Sequence, residues 1–266
     1  MQRMMHAAVC AAALAVAGCS KELPPLPTQP APIPAASACD ALGISAGGAV
    51  SILNGANCSA DRSSVVLLNM RNAAGGALGA CTGTVVAPRI VLTAAHCLDE
   101  DVRTVRVWLG SGPEIVAESF TFFPNYQFNN PASFDVGVVR VPEDLPRASF
   151  PILTSRDARV GEAAVIAGWG RDQNDIPATL RAGSTSISAV STAVIQTIFA
   201  PPSASVCSGD SGGPILINPG SGWAIAGITS ATSANLCNTG TNFYQNVRHP
   251  QVLAFILEHV PAIGQR

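Results

Sequence analysis

Short apolar runs recur along the chain at residues 64–68, 84–86, 90–92, 105–109, 136–141, 164–167, 187–190, 214–217 and 224–228. They are rich in β-branched residues and are separated by Gly, Pro, Asn and Asp, the pattern of a β-sandwich or barrel. One segment departs from it. Apolar residues at 252, 253, 256, 257 and 260 follow helical spacing and predict a closing amphipathic helix over 249–260. No internal repeat is visible. A polar stretch at 154–159 separates two sets of strand-like runs and predicts a boundary between two halves.

A chain of 266 residues can bury a sizeable core. Charged residues make up 12% of it, against roughly 25% in ordinary domains, and Lys21 is the only lysine. Long charged helices and coiled coils are therefore excluded. Net charge is −2 with no basic run, so nucleic-acid binding has no electrostatic footing. Composition points to an all-β, loop-rich, exported protein.

The N-terminus agrees with export. The apolar run 7–18 is shorter than the about 20 residues a spanning helix needs. With Arg3 ahead of it and small residues at its end, it reads as a signal peptide over 1–18. Val16-Ala17-Gly18-Cys19 resembles a bacterial lipobox, which implies lipidation of Cys19 and anchoring in a membrane. Prolines at 24, 25, 27, 30, 32 and 34 then form a semi-rigid tether, and 19–51 is expected to be a lipid-anchored linker and pro-segment. No Asp follows Cys19, which by the usual bacterial sorting pattern implies the outer membrane of the cell envelope.

Of eight cysteines, Cys10 leaves with the signal and Cys19 is assigned to lipid. Cys39, Cys58, Cys81, Cys97, Cys207 and Cys237 remain, and in an exported chain they imply disulfides whose pairing their number leaves open. There is no CxxC, and only His96, His249 and His259 lie beyond the signal, so no metal site is expected.

Three segments carry chemistry: Leu92-Thr93-Ala94-Ala95-His96-Cys97, Phe134-Asp135-Val136-Gly137-Val138-Val139, and Cys207-Ser208-Gly209-Asp210-Ser211-Gly212-Gly213-Pro214. A serine hydroxyl needs a base within hydrogen-bond reach to become a nucleophile. Imidazole suits that role at neutral pH. It needs a carboxylate to fix its tautomer, and Asp135 at the start of an apolar strand is placed to be one. Gly209 lets an amide turn toward a developing oxyanion without a Cβ in the way.

In sequence and in the order His, Asp, Ser, these segments resemble the trypsin/chymotrypsin-like serine peptidases. Ala167-Gly168-Trp169-Gly170 and Gly227-Ile228-Thr229-Ser230 also match that family's patterns. The resemblance implies two six-stranded antiparallel β-barrels with a C-terminal helix. Barrel one is expected at about 52–155, barrel two at about 156–248 and the helix at about 249–260. It further implies Ser211 as nucleophile, His96 as general base and acid, Asp135 as its orienter, and the amides of Gly209 and Ser211 as the oxyanion hole. It pairs Cys81 with Cys97 and Cys207 with Cys237, leaving Cys39 and Cys58 to each other. The reaction requires no cofactor. The expected partners are protein or peptide substrates, and the chain is expected to be monomeric.

Family members are often made as zymogens, and Ile52-Leu53-Asn54-Gly55 resembles their mature start. The implied activation is cleavage after Ser51, with the freed Ile52 amine pairing with Asp210. By alignment Ser205 lies at the base of the specificity pocket, Ser230 on the substrate-pairing strand, and Thr232 and Asn242 on the pocket walls. With no buried anion and neither wall a glycine, small or medium uncharged residues are expected before the scissile bond. A catalytically inactive homologue acting as a binding protein is the alternative, and the presence of all three triad residues argues against it.

Overall fold

The computed structural model describes residues 35–46, 54–99, 101–124, 126–127, 133–171, 179–234 and 236–266. The signal peptide, the lipobox with Cys19, the Pro-rich tether and Ile52 lie outside the described residues.

The apolar runs become two antiparallel sheets. The first contains β2 (Val65–Arg71), β3 (Ala77–Ala87), β4 (Ile90–Thr93), β5 (Thr104–Trp108), β6 (Ile115–Val116), β7 (Ser119–Phe122) and β8 (Gly137–Arg140). Their spatial order is β6-β5-β2-β3-β4-β8-β7. Val65 to Leu68 are buried, as is the whole of β4, because both strands are covered on two faces.

The second sheet contains β1 (Ala56–Asn57), β9 (Ala163–Gly168), β10 (Arg181–Val190), β11 (Val194–Ile198), β12 (Pro214–Ile217), β13 (Ala224–Thr232) and β14 (Thr241–Asn246). Six of these strands form a closed ring, β9-β10-β11-β14-β13-β12, with β12 and β10 both pairing to β9. The fold is thus all-β and chymotrypsin-like, with one closed six-stranded barrel. The first sheet differs from the expected closed barrel. Among the described residues nothing pairs its end strands β6 and β7, and β6 offers only two ladder positions.

Two boundaries differ from the sequence expectation. Ala56–Asn57, expected in barrel one, pairs with β10 of the second sheet, where Ala56 faces Ala182. The cause is local: Cys58 N–H donates to Leu180 O at 2.9 Å, holding the segment on β10. The folded unit also begins ahead of Ile52. Helix α1 (Ala35–Asp40) packs on β1 and β10, and Ala38, Cys39, Ala41, Leu42 and Ile44 are buried in the core. The Cys39–Cys58 disulfide fixes this segment, and Ala46 forms a bridge opposite Cys58.

The expected C-terminal helix is α2 (Pro250–His259). It buries Val252, Phe255 and Ile256, starts with Pro250 at its first position, and is capped by His249, whose Nδ1 accepts from Gln251 N–H at 3.3 Å. The two sheets meet where Trp169 donates its indole N–H to Val65 O at 3.1 Å and tilts against Trp108 at a centroid distance of 5.4 Å.

Candidate active site

His96 occupies the centre of a single 3-10 turn, Ala95–Cys97, at the end of buried β4. The Cys81–Cys97 disulfide ties that turn to β3. Cys81, His96 and Cys97 cluster closely, but the two sulfurs are bonded to each other and offer no thiolate ligands. Asp135, buried just before β8, reaches His96 through both carboxylate oxygens. Oδ1 accepts the His96 backbone N–H at 3.0 Å, and Oδ2 accepts from Nδ1 at 2.7 Å.

An ionised carboxylate only accepts hydrogen bonds, so Nδ1 carries the proton and Nε2 of the neutral ring is left as an acceptor. Burial pulls the imidazole pKa down. The hydrogen bond and charge of Asp135, with the charge of Asp99, outweigh it, and the pKa rises above the ordinary 6.5. Ser230 Oγ also donates to Asp135 Oδ2, at 2.5 Å. The side chain of Ser230, expected on the substrate-pairing strand, is therefore committed to the carboxylate.

Ser211 is half-buried in the turn that opens β12. The turn is stitched to the first sheet through Thr82. Thr82 N–H donates to Ser211 O at 2.8 Å, and Thr82 Oγ1 donates to Gly209 O at 2.8 Å. The same hydroxyl accepts Trp169 N–H at 3.0 Å, while Thr82 O accepts from Thr93 Oγ1 at 2.8 Å. Gly212 (φ +79°) lies so close to the His96 strand that a Cβ there would be 2.1 Å from Thr93 Oγ1. Cys97 Sγ lies 3.8 Å from Ser211 O. The Ser211 hydroxyl itself makes no hydrogen bond to His96 among the described residues.

Arg171 N–H donates to Ser208 O at 2.9 Å. In a trans peptide C=O and N–H point opposite ways, so the Gly209 N–H is directed away from Arg171. Gly209 has φ +98°, open to glycine and costly for other residues. Neither the Gly209 nor the Ser211 N–H has an acceptor among the described residues, which leaves two donors for an oxyanion.

Ser205, Asn242 and Thr232 come together as a group. Thr232 and Asn242 are paired across β13 and β14. Ser205 Oγ donates to Asn242 Oδ1 at 3.2 Å, and Asn242 Nδ2 donates to Thr197 Oγ1 at 3.2 Å. Ser205 and Asn242 are buried, whereas Thr232 is exposed and donates to Ala234 O at 2.8 Å. The Cys207–Cys237 disulfide joins the segments that carry them. Asp210 is buried beneath the Ser211 turn, while its expected partner Ile52 lies outside the described residues.

Two residues of the site carry no signal in the motifs. Thr82 sits in an unremarked strand position. Gln245 lies in a polar strand, and its Oε1 accepts the Asp135 backbone N–H at 3.0 Å.

The class these features define is a two-sheet hydrolase with a carboxylate–imidazole pair facing a serine-bearing turn. The family model described as Trypsin matches residues 52–256, and the chain belongs to the trypsin family of serine peptidases. It is 28% identical over 217 residues to phenoloxidase-activating factor 3 of Holotrichia diomphalia, a match covering 62% of this chain and 60% of that protein. It is 30% identical over 183 residues to brachyurin of Leptuca pugilator, covering 60% of this chain and 79% of that protein. Its fold is similar to the solved structure of HL collagenase, with a TM-score of 0.60 at 21% identity, over 74% of this chain and 93% of that one.

Proposed function

We propose that this protein is an exported serine endopeptidase that hydrolyses peptide bonds through an acyl-enzyme on Ser211. The observation that carries the reading is the two-point grip of Asp135 on His96 beside the Ser211 turn. As Ser211 Oγ attacks the carbonyl carbon, His96 Nε2 takes its proton, and ionised Asp135 balances the imidazolium. The Gly209 and Ser211 amides receive the oxyanion. His96 then gives the proton to the leaving amine, and a water repeats the sequence in reverse to release the acid.

The pocket favours small or medium uncharged side chains. Ser205 at its base offers no charge to Arg or Lys, and buried Asn242 on its wall is held by hydrogen bonds to Ser205 and Thr197. Lipidation of Cys19 would tether the enzyme to the outer membrane, and the three disulfides suit an oxidising compartment.

Labelling with a fluorophosphonate probe tests the chemistry: modification of the native chain and none of Ser211→Ala is expected. Cleavage profiling with a peptide library tests the pocket, and efficient cutting after Arg or Lys would overturn the preference. Radiolabelled palmitate incorporated by the native chain and not by Cys19→Ser supports the anchor.

A further inference from the structure

Asp210 is 2% exposed and bound on both oxygens by backbone. Oδ1 accepts Gly170 N–H at 2.8 Å, and Oδ2 accepts Cys207 N–H at 2.8 Å. These bonds set the turn that runs from Cys207 to Ser211. The carboxylate fills space left by two glycines: a Cβ on Gly168 would lie 2.1 Å from Oδ1, and one on Gly170 2.6 Å from it. Amide dipoles orient a buried carboxylate, but a buried charge also calls for an opposite charge.

Arg181, the first residue of β10, is likewise 2% exposed. It stands opposite Gly168 in the β9–β10 ladder, the residue whose missing side chain makes room for Asp210. Its Nη1 donates to Gly170 O at 2.6 Å, and the same Gly170 gives its N–H to Asp210. A guanidinium does not deprotonate in proteins, so this position commits a positive charge to the interior.

We propose that Arg181 is a positioning residue that supplies the counter-charge of Asp210 from within the chain, setting the Gly209–Ser211 turn for catalysis while residues 51 and 52 are still joined. This deepens the peptidase reading and rests on it. Burial pushes the Asp210 carboxyl up to about 6, opposed by the Cys207 and Gly170 amides and by the Arg181 charge. Among the described residues, the other titratable side chain facing it is Tyr244 on β14, whose phenol is raised by burial, with the Asp210 charge adding to it, and stays neutral. Among the described residues, Arg181 is thus the cation for this carboxylate. Without it, Asp210 takes up a proton nearer neutrality and loosens its hold on the two amides.

The test uses the full chain, with intact mass establishing that residues 51 and 52 are joined. Fluorophosphonate labelling of Ser211 and turnover of a peptide with a small residue before the scissile bond are then measured. The joined chain is expected to be labelled and to turn over. Arg181→Met is expected to lower kcat by about tenfold or more with KM little changed. The acid limb of its kcat profile moves to higher pH and steepens, because Asp210 now titrates alongside His96. Arg181→Lys keeps the charge and recovers most of kcat. Labelling confined to cut chains, or an Arg181→Met enzyme with unchanged kcat and acid limb, overturns the proposal. Where Arg181→Met does not fold, Arg181→Gln is measured in its place and decides by the same outcomes. A folded chain unlabelled in both joined and cut forms refutes the peptidase reading itself.

Discussion

Gln245 of β14 holds the backbone of Asp135: its Oε1 accepts the Asp135 N–H at 3.0 Å, while its Nε2 donates to Ala193 O at 2.9 Å. Both ends of the amide are used, so its orientation is fixed by its partners. The carboxylate that orients His96 is therefore positioned from the other sheet. Gln245→Ala leaves the buried Asp135 N–H without a partner. Unfolding free energy is expected to fall by about 1–3 kcal/mol, read by denaturant titration. Turnover should fall with it, since Asp135 can then drift from His96. An unchanged denaturation midpoint would show that water replaces the amide at no cost.

Thr82 offers a cleaner separation of hydroxyl from bulk. Its Oγ1 joins Gly209 O to Trp169 N, fixing the turn that carries the proposed oxyanion donors. Thr82→Val keeps the shape and removes these bonds, whereas Thr82→Ser keeps the hydroxyl. Thr82→Val is expected to lower kcat by about tenfold, the worth of one hydrogen bond of about 1.5 kcal/mol, with Thr82→Ser close to native. Equal losses in the two variants would assign the effect to the missing methyl packing.

The His, Asp and Ser segments are legible in the sequence because each sets a reactive residue within a run of small or apolar neighbours. The strands behind them are less so. β14 reads Thr-Asn-Phe-Tyr-Gln-Asn and shows no apolar alternation, yet Asn242, Gln245 and Asn246 are buried because each is hydrogen-bonded to the neighbouring strand β11 or to the turn that leads into it. Burial there follows from tertiary partners that periodicity does not register. Residues 35–46 similarly read as the end of a tether, since a Pro-rich stretch precedes them and they are mostly small residues with no strand or helix periodicity. Their burial depends on Cys39 meeting Cys58, which leaves no local pattern.

The raised pKa of His96 has a definite sign for activity. The base works as the neutral ring, so a pKa above 6.5 places the acid limb of kcat/KM above pH 6.5, with activity lost as pH falls through it. Asp135→Asn removes the two larger contributions that raise the pKa and leaves burial, which lowers it and outweighs the charge of Asp99. The limb should then move below pH 6.5, and kcat should fall by about three to four orders of magnitude because the tautomer is no longer enforced. A pH-rate series on both enzymes checks this. An Asp135→Asn limb at or above the native one would mean that another group sets the profile.

On the proposed reading of the pocket, Asn242 limits the size of the side chain accepted before the scissile bond. Its side chain lies buried between Ser205 and Thr197, and its pairing with Thr232 places it beside that exposed residue of the neighbouring strand. Asn242→Gly removes that side chain and opens the wall of the proposed pocket to a larger group. Each methylene gained in an apolar slot is worth about 1–3 kcal/mol in kcat/KM, so Leu or Phe before the scissile bond should gain on Ala by about tenfold or more. Stability should drop, because the Ser205 and Thr197 hydroxyls lose a partner and a strand glycine costs chain entropy. The measurement is a competition between peptides that differ only at that residue. A native-like ranking in a folded Asn242→Gly enzyme would place the determinant elsewhere, with exposed Thr232 the next wall to vary.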